Sequence, residues 1–300
     1  MPRLTAIVPA SDAPSTLEAC LKAIRAADEP PEEVVVARTG EGPAAARNEG
    51  ARLATGDVLV FVDADVLPHA DAFVRIRRAF DGDGELVALF GSYDDTPTAP
   101  GVVSSFRNLL HHHVHQEGAG RAETFWAGLG AVRREAFTAA GGFDERRYRT
   151  PSIEDVELGA RLHRTGARIE LDPQVQSTHL KGWTLASMLR TDLWSRGVPW
   201  VELALRDGPS STLNLGWRHR ASAALSVVAA LSLLRGKPRP AAGSLLVLVV
   251  LNRRFYALLA RRRGPLEAGL GVGLHVAHHL VGATSIPLGI ARHLRARRDA

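Results

Sequence analysis

Two aspartates, Asp63 and Asp65, close the apolar run Val58-Leu-Val-Phe-Val62. Three valines in five residues predict a buried strand. Carboxylates are costly to bury unpaired, so a pair at its end wants a cation or a polar ligand. A hard divalent ion holding a diphosphate meets that need, because it takes oxygen ligands and leaves positions for phosphate oxygens. Asp-x-Asp alone is a weak pattern, and a strand-end turn bonding both aspartates to backbone amides is its alternative. Its place at the C-terminal end of a strand strengthens it, since open α/β sheets bind ligands along that edge. A second acidic group, Glu154 and Asp155, opens a predicted helix over 153–165, with Glu157 two residues beyond Asp155. The helix dipole favours acids there, so capping alone accounts for them; the same field is expected to lower a carboxylate's pKa and keep it ionised. An ionised carboxylate can take a proton as general base. Arg47 suits a diphosphate or a structural carboxylate. His179 suits a metal site as neutral imidazole, or a buried bond to backbone. Trp126, ahead of Ala127-Gly128, fits a sugar face or a core. His111-His-His-Val-His115, with no nearby acid, is expected to hold solvated or interfacial histidines.

The elements that must position these groups alternate. Strands are expected at 4–8, 34–36, 58–62, 86–90 and 167–171. Helices are expected at 16–27, capped by Ser15, and at 44–54, 70–80, 102–116, 131–139, 153–165 and 184–196. This order argues for a mainly parallel sheet with crossover helices. Cys20, the sole cysteine, lies on the apolar face of the first helix and excludes an internal disulfide.

In order along residues 4–200, Thr5-Ala-Ile-Val-Pro9, Ala46-Arg-Asn-Glu-Gly50, Ala54-Thr-Gly-Asp57, Phe61-Val-Asp-Ala-Asp65, Gly141-Gly-Phe-Asp144 and Glu154-Asp-Val-Glu-Leu158, followed by Arg161-Leu162 and Gly166, resemble the inverting family 2 glycosyltransferases of the GT-A fold. The resemblance implies an α/β GT-A domain over 1–205 and a metal-dependent transfer from a nucleotide-sugar. It implies Asp65 as ligand of Mn²⁺ or Mg²⁺, with His179 completing the site, and Asp63 and Ala64 toward the nucleotide. It implies Asp155 as base, with Glu154 beside it in the acceptor site. Pro9, Ala10 and Asp12 follow the first strand where the base docks, though Asp12 can instead cap the next helix. Arg47, Trp126 and Gly128 complete the donor set. The second strand departs from the family: Val36-Ala-Arg-Thr-Gly-Glu41 lacks the acidic, serine-containing turn, which leaves the nucleotide open between UDP and GDP. Trp194-Ser-Arg-Gly-Val-Pro-Trp200 lacks the Gln-x-x-Arg-Trp motif of processive synthases and argues for single transfer.

The chain has 300 residues, 45% of them hydrophobic, and a net charge of +5. Arginines crowd its last fifth beside apolar runs, a pattern that suits an anionic membrane surface. No recognition motif or basic–aromatic interleaving points to nucleic acid. Residues 221–234 and 241–251 carry no charge but fall short of a bilayer span; 266–291 is long enough. Residues 206–300 are therefore expected to form a membrane-associated helical region. No signal peptide precedes the first strand, and the single cysteine makes a cytosolic catalytic part reasonable; that part is expected to face the cytoplasm, with a lipid or lipid-linked acceptor. Two alternatives are a nucleotidyltransferase on a similar head, whose glycine- and lysine-rich loop is absent from Pro9-Ala-Ser-Asp-Ala13, and a non-catalytic membrane-bound interaction module.

Overall fold

The computed structural model describes residues 1–11, 14–208, 213 and 216–298; Asp12 lies outside them. Chain contacts divide the molecule into two compact units. The first comprises 1–98 and 115–181; the second comprises 99–114 and 182–300. Residues 182–205 therefore group with the C-terminal helices, although the sequence placed the boundary after 205.

The first unit is built on one sheet. Its strands are β1 (Leu4–Pro9), β2 (Glu33–Ala37), β3 (Val58–Val62), β4 (Val66–Pro68), β5 (Leu86–Tyr93), β6 (Gly120–Arg121), β7 (Leu129–Arg133) and β8 (Arg168–His179). They run in the order β2-β1-β3-β7-β5-β8-β4, with β6 beside β8. The sheet is mixed rather than mainly parallel. β1 pairs parallel with β2 and β3, and β5 with β8, but β7 runs antiparallel to both β3 and β5. Residues 131–133 were expected in a helix. Pairing on both sides makes 129–133 a strand, and the helix α5 (Arg134–Ala139) starts after it. β8 also continues past its expected end, because a register shift opposite Phe90–Ser92 absorbs Asp172-Pro173.

The helices of this unit are α1 (Leu17–Arg25), α2 (Pro43–Leu53), α3 (Ala72–Gly82), α5 and α6 (Glu154–Arg164). Thr16, not Ser15, stands at the start of α1, and no side chain caps it. The helix holds instead by its buried face of Leu17, Cys20, Leu21 and Ile24, as an amphipathic helix does. Phe61, Phe137 and Phe143 pack ring against ring at 5.1–5.4 Å beneath the sheet.

The second unit is helical: most of α4 (Val102–Glu117), α7 (Leu185–Arg190), a π-helical turn (Thr191–Gly197), α8 (Val198–Asp207), α9 (Trp217–Leu234), α10 (Pro238–Leu251), α11 (Arg253–Arg263) and α12 (Pro265–Arg298). Thr184 and Ser187 close a reciprocal capping box at α7. Phe106, Leu109, Trp183, Met188, Phe255 and Leu259 form its apolar core. Among the described residues no single helix is long and apolar enough to cross a membrane; only the pair α10 and α11, bent by 76°, passes that test together. The length expected of 266–291 is present in α12, but its inward face carries Gly271, His275, His279, Ser285 and Gly289, which lowers its hydropathy.

Candidate active site

Topology gathers the chemistry at one edge of the sheet. β1 and β3 are parallel, so Pro9-Ala10 and Asp63 emerge together. β7 is antiparallel to β3 and pairs Leu129 with Val62, so the preceding residues, 126–128, lie beside Asp63; the Asp63 N–H donates to the Gly128 carbonyl at 3.1 Å. β5 and β8 end at the same edge and bring Tyr93 and His179 to it. Gly128 is required there. A Cβ on it would stand 2.2 Å from the Trp126 ring.

Arg47 ties the edge to α6. It rides on α2, which lies close on β1 because a Cβ at Gly50 would meet the Ile7 side chain at 2.4 Å. Its guanidinium is buried and donates 2.7 Å hydrogen bonds to Asp63 Oδ1 and Glu154 Oε1. Of the two roles open to it, diphosphate ligand or structural partner, this geometry fills the second. Glu154 also accepts from the Ser152 N–H at 2.9 Å and is 4% exposed. It was expected to line an acceptor site; with both oxygens engaged inside, it braces the start of α6 instead. Glu157 is likewise buried and bonded to Arg161.

Asp155 differs from its neighbours. Its oxygens accept from two backbone N–H groups, Ala127 at 3.0 Å and Val156 at 2.8 Å, and the side chain is only half-buried. Desolvation, reinforced by the Glu154 charge, pushes its pKa up to about 7, against the pull of those amides and of Arg47. The helix dipole was expected to lower it. The dipole acts through partial charges, and here burial beside a full negative charge outweighs it.

Asp65 and His179 face each other, Oδ2 to Nε2, at 3.5 Å. That is long for a hydrogen bond. Two ligands in adjacent positions on an ion with bonds of about 2.1 Å stand about 3 Å apart, so the pair suits one small cation. Burial raises the Asp65 pKa, but His179 and Lys181 outweigh it and hold the carboxyl below its ordinary value, in the anionic form a metal takes. Asp63 is pushed the other way by burial and by Asp65, despite Arg47. Among the described residues no set of three or more His, Cys, Asp and Glu is grouped to hold a metal. Two protein ligands plus oxygens of a bound diphosphate are the set this edge can offer.

Sequence reasoning missed Tyr93. Its ring stacks on His179 with centroids 4.2 Å and planes 7° apart, and meets Trp126 edge-on at 4.9 Å. The available signal was an aromatic residue at a strand end. Next to it, Asp94 accepts from Thr178 and bonds His69 at 3.0 Å. The histidine run was also misjudged at one position: His115 is buried, bonds the Gly91 carbonyl at 2.9 Å and packs against Trp126. Its helix face turns toward the sheet rather than to solvent. Pro9 and Ala10 do lie at the site's edge, where the Ala10 N–H donates to Ala37 at 2.8 Å.

The mixed sheet with its acidic edge is that of a GT-A fold. Among solved structures, the mannosyltransferase PcManGT from Pyrobaculum calidifontis, in complex with GDP-Man and Mn²⁺, superposes with a TM-score of 0.56 at 18% identity, over 94% of this chain and 87% of that one. Residues 33–139 match Glycosyl transferase family 2. Over 161 residues the chain is 30% identical to the pre-mycofactocin glycosyltransferase of Mycobacterium tuberculosis, a match spanning 46% of this chain and 30% of that protein. A 96-residue stretch is 38% identical to the tRNA(Met) cytidine acetyltransferase of Haloferax volcanii, covering 31% of this chain and 13% of that one. The chain thus spans less than a third of the length of either curated relative. Residues 33–139 are similar to glycosyltransferase family 2, on a chain that has the GT-A fold.

Proposed function

We propose that this protein is a non-processive, inverting glycosyltransferase that moves a sugar from a UDP- or GDP-linked donor to a hydroxyl or phosphate acceptor. One observation carries the reading. Of the four acids at the sheet edge, Asp63 and Glu154 are committed to Arg47 and Asp65 faces His179, whereas Asp155, among the described residues, accepts only from backbone N–H groups. It is therefore the carboxylate left to take the acceptor's proton, and a pKa of about 7 suits that task. A single base and direct attack at the anomeric carbon give inversion. Asp65 and His179 would hold a divalent ion, Mn²⁺ or Mg²⁺, which when bound supplies positive charge to the departing diphosphate. Asp63, fixed by Arg47, faces the ribose. The Gly128 backbone and Trp126 shape the sugar site. A GDP-linked sugar and Mn²⁺ are supported by the ligands of the mannosyltransferase that shares the fold.

The acceptor we assign is lipid-linked, used at the cytoplasmic face of a membrane, with the sheet-bearing first unit as the catalytic part and the C-terminal helices of the second unit as the membrane-associated part. The cationic C-terminal sequence supports that assignment. The test is a transfer assay on full-length protein with a panel of nucleotide-sugars and soluble and lipid-linked acceptors. Asp155→Asn should bind donor normally and lose about 10²–10⁴-fold in transfer, and the wild-type product should have the anomeric configuration opposite to the donor. Undiminished transfer by Asp155→Asn would remove the base; a retained configuration would remove inversion.

A further inference from the structure

Part of the second unit is built inside out. In α4, α7 and α11 the apolar side chains face inward and the arginines of α11 face out, as in a soluble bundle. The hairpin α9–α10 reverses this. Its inward residues are small or polar: Ser222, Ser226 and Ala229 on α9, Ala241 on α10, with only Leu248 large. Ser222 Oγ accepts from Asn252 Nδ2 at 2.9 Å, and Ser226 donates to the Ser222 carbonyl at 2.8 Å. The outward residues are apolar: Val228 and Leu231 one turn apart, Leu233, Leu234, and Leu246, Val247 and Val250. Leu234 is 84% and Leu246 65% exposed. Small residues within and leucines without is the pattern of helices packed in lipid, where apolar side chains have no reason to turn inward. Together these seven side chains expose on the order of 600 Å², at the upper end of what the largest patch on a soluble monomer shows.

Charge names the occupant. From Gly208 to Leu266 the chain has ten Lys and Arg and no Asp or Glu. Arg235, Lys237 and Arg239 mark the hairpin's turn; Arg218 and Arg220 on one side and Arg253 and Arg254 on the other mark its base. The uncharged stretches, 221–234 and 241–251, are about 21 Å and 16 Å long at 1.5 Å per residue, well under the roughly 30 Å of hydrocarbon in a bilayer. An upright hairpin would leave its three cations in hydrocarbon short of the far side. A hairpin lying in the plane keeps both ends among headgroups.

We infer that α9 and α10 lie in the outer part of one leaflet of an anionic membrane, without crossing it. This deepens the membrane assignment made above, and its test reads no transferase activity, so the two can fail separately. Full-length protein is floated with vesicles of phosphatidylcholine alone or with 30% phosphatidylglycerol. It should float with the anionic vesicles, and Leu234→Asp with Leu246→Asp should reduce the bound fraction about tenfold; both side chains are exposed, so the fold tolerates the change. In a Cys20→Ala background, Lys237→Cys and Arg254→Cys should both react from outside with a membrane-impermeant maleimide while bound. Equal flotation of wild type and the double variant would overturn the inference. So would a Lys237→Cys thiol protected from the reagent, which means crossing, or wild-type dimers that the double variant dissolves without any vesicle binding, which means a second copy of the chain covers this face.

Discussion

Arg47 is the residue that ties the site's acids together. Its buried guanidinium spans two carboxylates contributed by β3 and α6, 16 and 107 positions away in sequence. The carboxylates hold its pKa above the ordinary arginine value although burial opposes them. Removing one partner of a buried ion group leaves the others uncompensated, a loss of about 3–5 kcal/mol. Arg47→Met should therefore lower stability by that amount in urea unfolding of the full chain, and weaken nucleotide binding through Asp63. Arg47→Lys should not rescue it, because an ammonium lacks the fork that reaches both acids at once; wild-type stability in the lysine variant would refute the brace. The same cluster sets the pH response. As the proposed base Asp155 would act ionised, and burial beside Glu154 raises its pKa to about 7. kcat/KM should be small at pH 5.5 and rise with pH through a midpoint near 7, reporting the free enzyme. A flat profile from pH 5.5 to 8.5 would assign the proton to another group. The residue types here were legible in the sequence, since Arg, paired Asp and Glu-Asp are each informative. Which acid pairs with which base was not, because that is decided by the fold bringing distant segments together.

At the scale of elements, the position of α6 is fixed by an absence. A Cβ on Gly159 would stand 2.2 Å from the Phe125 backbone nitrogen and 2.4 Å from the Thr124 carbonyl carbon. Backbone cannot yield as a flexible side chain can, so Gly159→Ala must push α6 away from 124–127, and with it Asp155 from the Ala127 N–H. Overpacking of this kind costs about 1–3 kcal/mol. The variant should lose at least tenfold in kcat while a metal titration remains near normal, since Asp65 and His179 sit on other strands. Gly82→Ala, at the end of α3 with nothing within 4 Å of the added carbon, is the matched control and should leave transfer unchanged. Equal effects from the two would dismiss the close approach. β3 and α1 were legible because each carries a clear period: five apolar residues in one, a four-residue apolar face in the other. β7 was hidden because Leu129-Gly-Ala-Val-Arg133 has weak strand character and runs straight into α5; its conformation is imposed by β3 and β5 on either side. β8 was cut short by Asp172-Pro173, which reads as a break and is absorbed by an irregularity in pairing.

At the scale of the whole molecule, acid should act on the two units with opposite sign. In the second unit burial lowers the pKa of His219 to about 4, of His279 to about 2, and of His275 well below its ordinary value, with neighbouring imidazoles adding to each. The unfolded chain takes up these protons near pH 6.5 and the folded unit refuses them. The stability they carry is therefore complete above about pH 6.5 and is lost progressively as the pH falls. Asp192 belongs to a lower window. Burial opposes its ionisation, but Arg107 and His278 hold it at about 2, so its contribution disappears only below about pH 3.9. In the first unit Asp155 and Asp63 have raised values. Folded, they keep protons that the unfolded chain releases, so this unit gains as the pH falls from about 7 toward 3.9. The sequence supplies a separate probe for each. Four of the five tryptophans, Trp183, Trp194, Trp200 and Trp217, belong to the second unit; the fifth, Trp126, belongs to the first with the buried sole thiol, Cys20, so the titrations are run on Trp126→Phe protein. In urea titrations of full-length protein in detergent, the midpoint seen by tryptophan emission should fall between pH 6.5 and 4.5. The midpoint seen by Cys20 labelling should hold or rise. His279→Gln, which removes a buried imidazole whose Nε2 has no hydrogen-bond partner among the described residues, should flatten the tryptophan-detected fall and leave the thiol-detected curve alone. A common midpoint that falls equally for both probes would mean that the units unfold as one, with the histidines setting the stability of the whole chain.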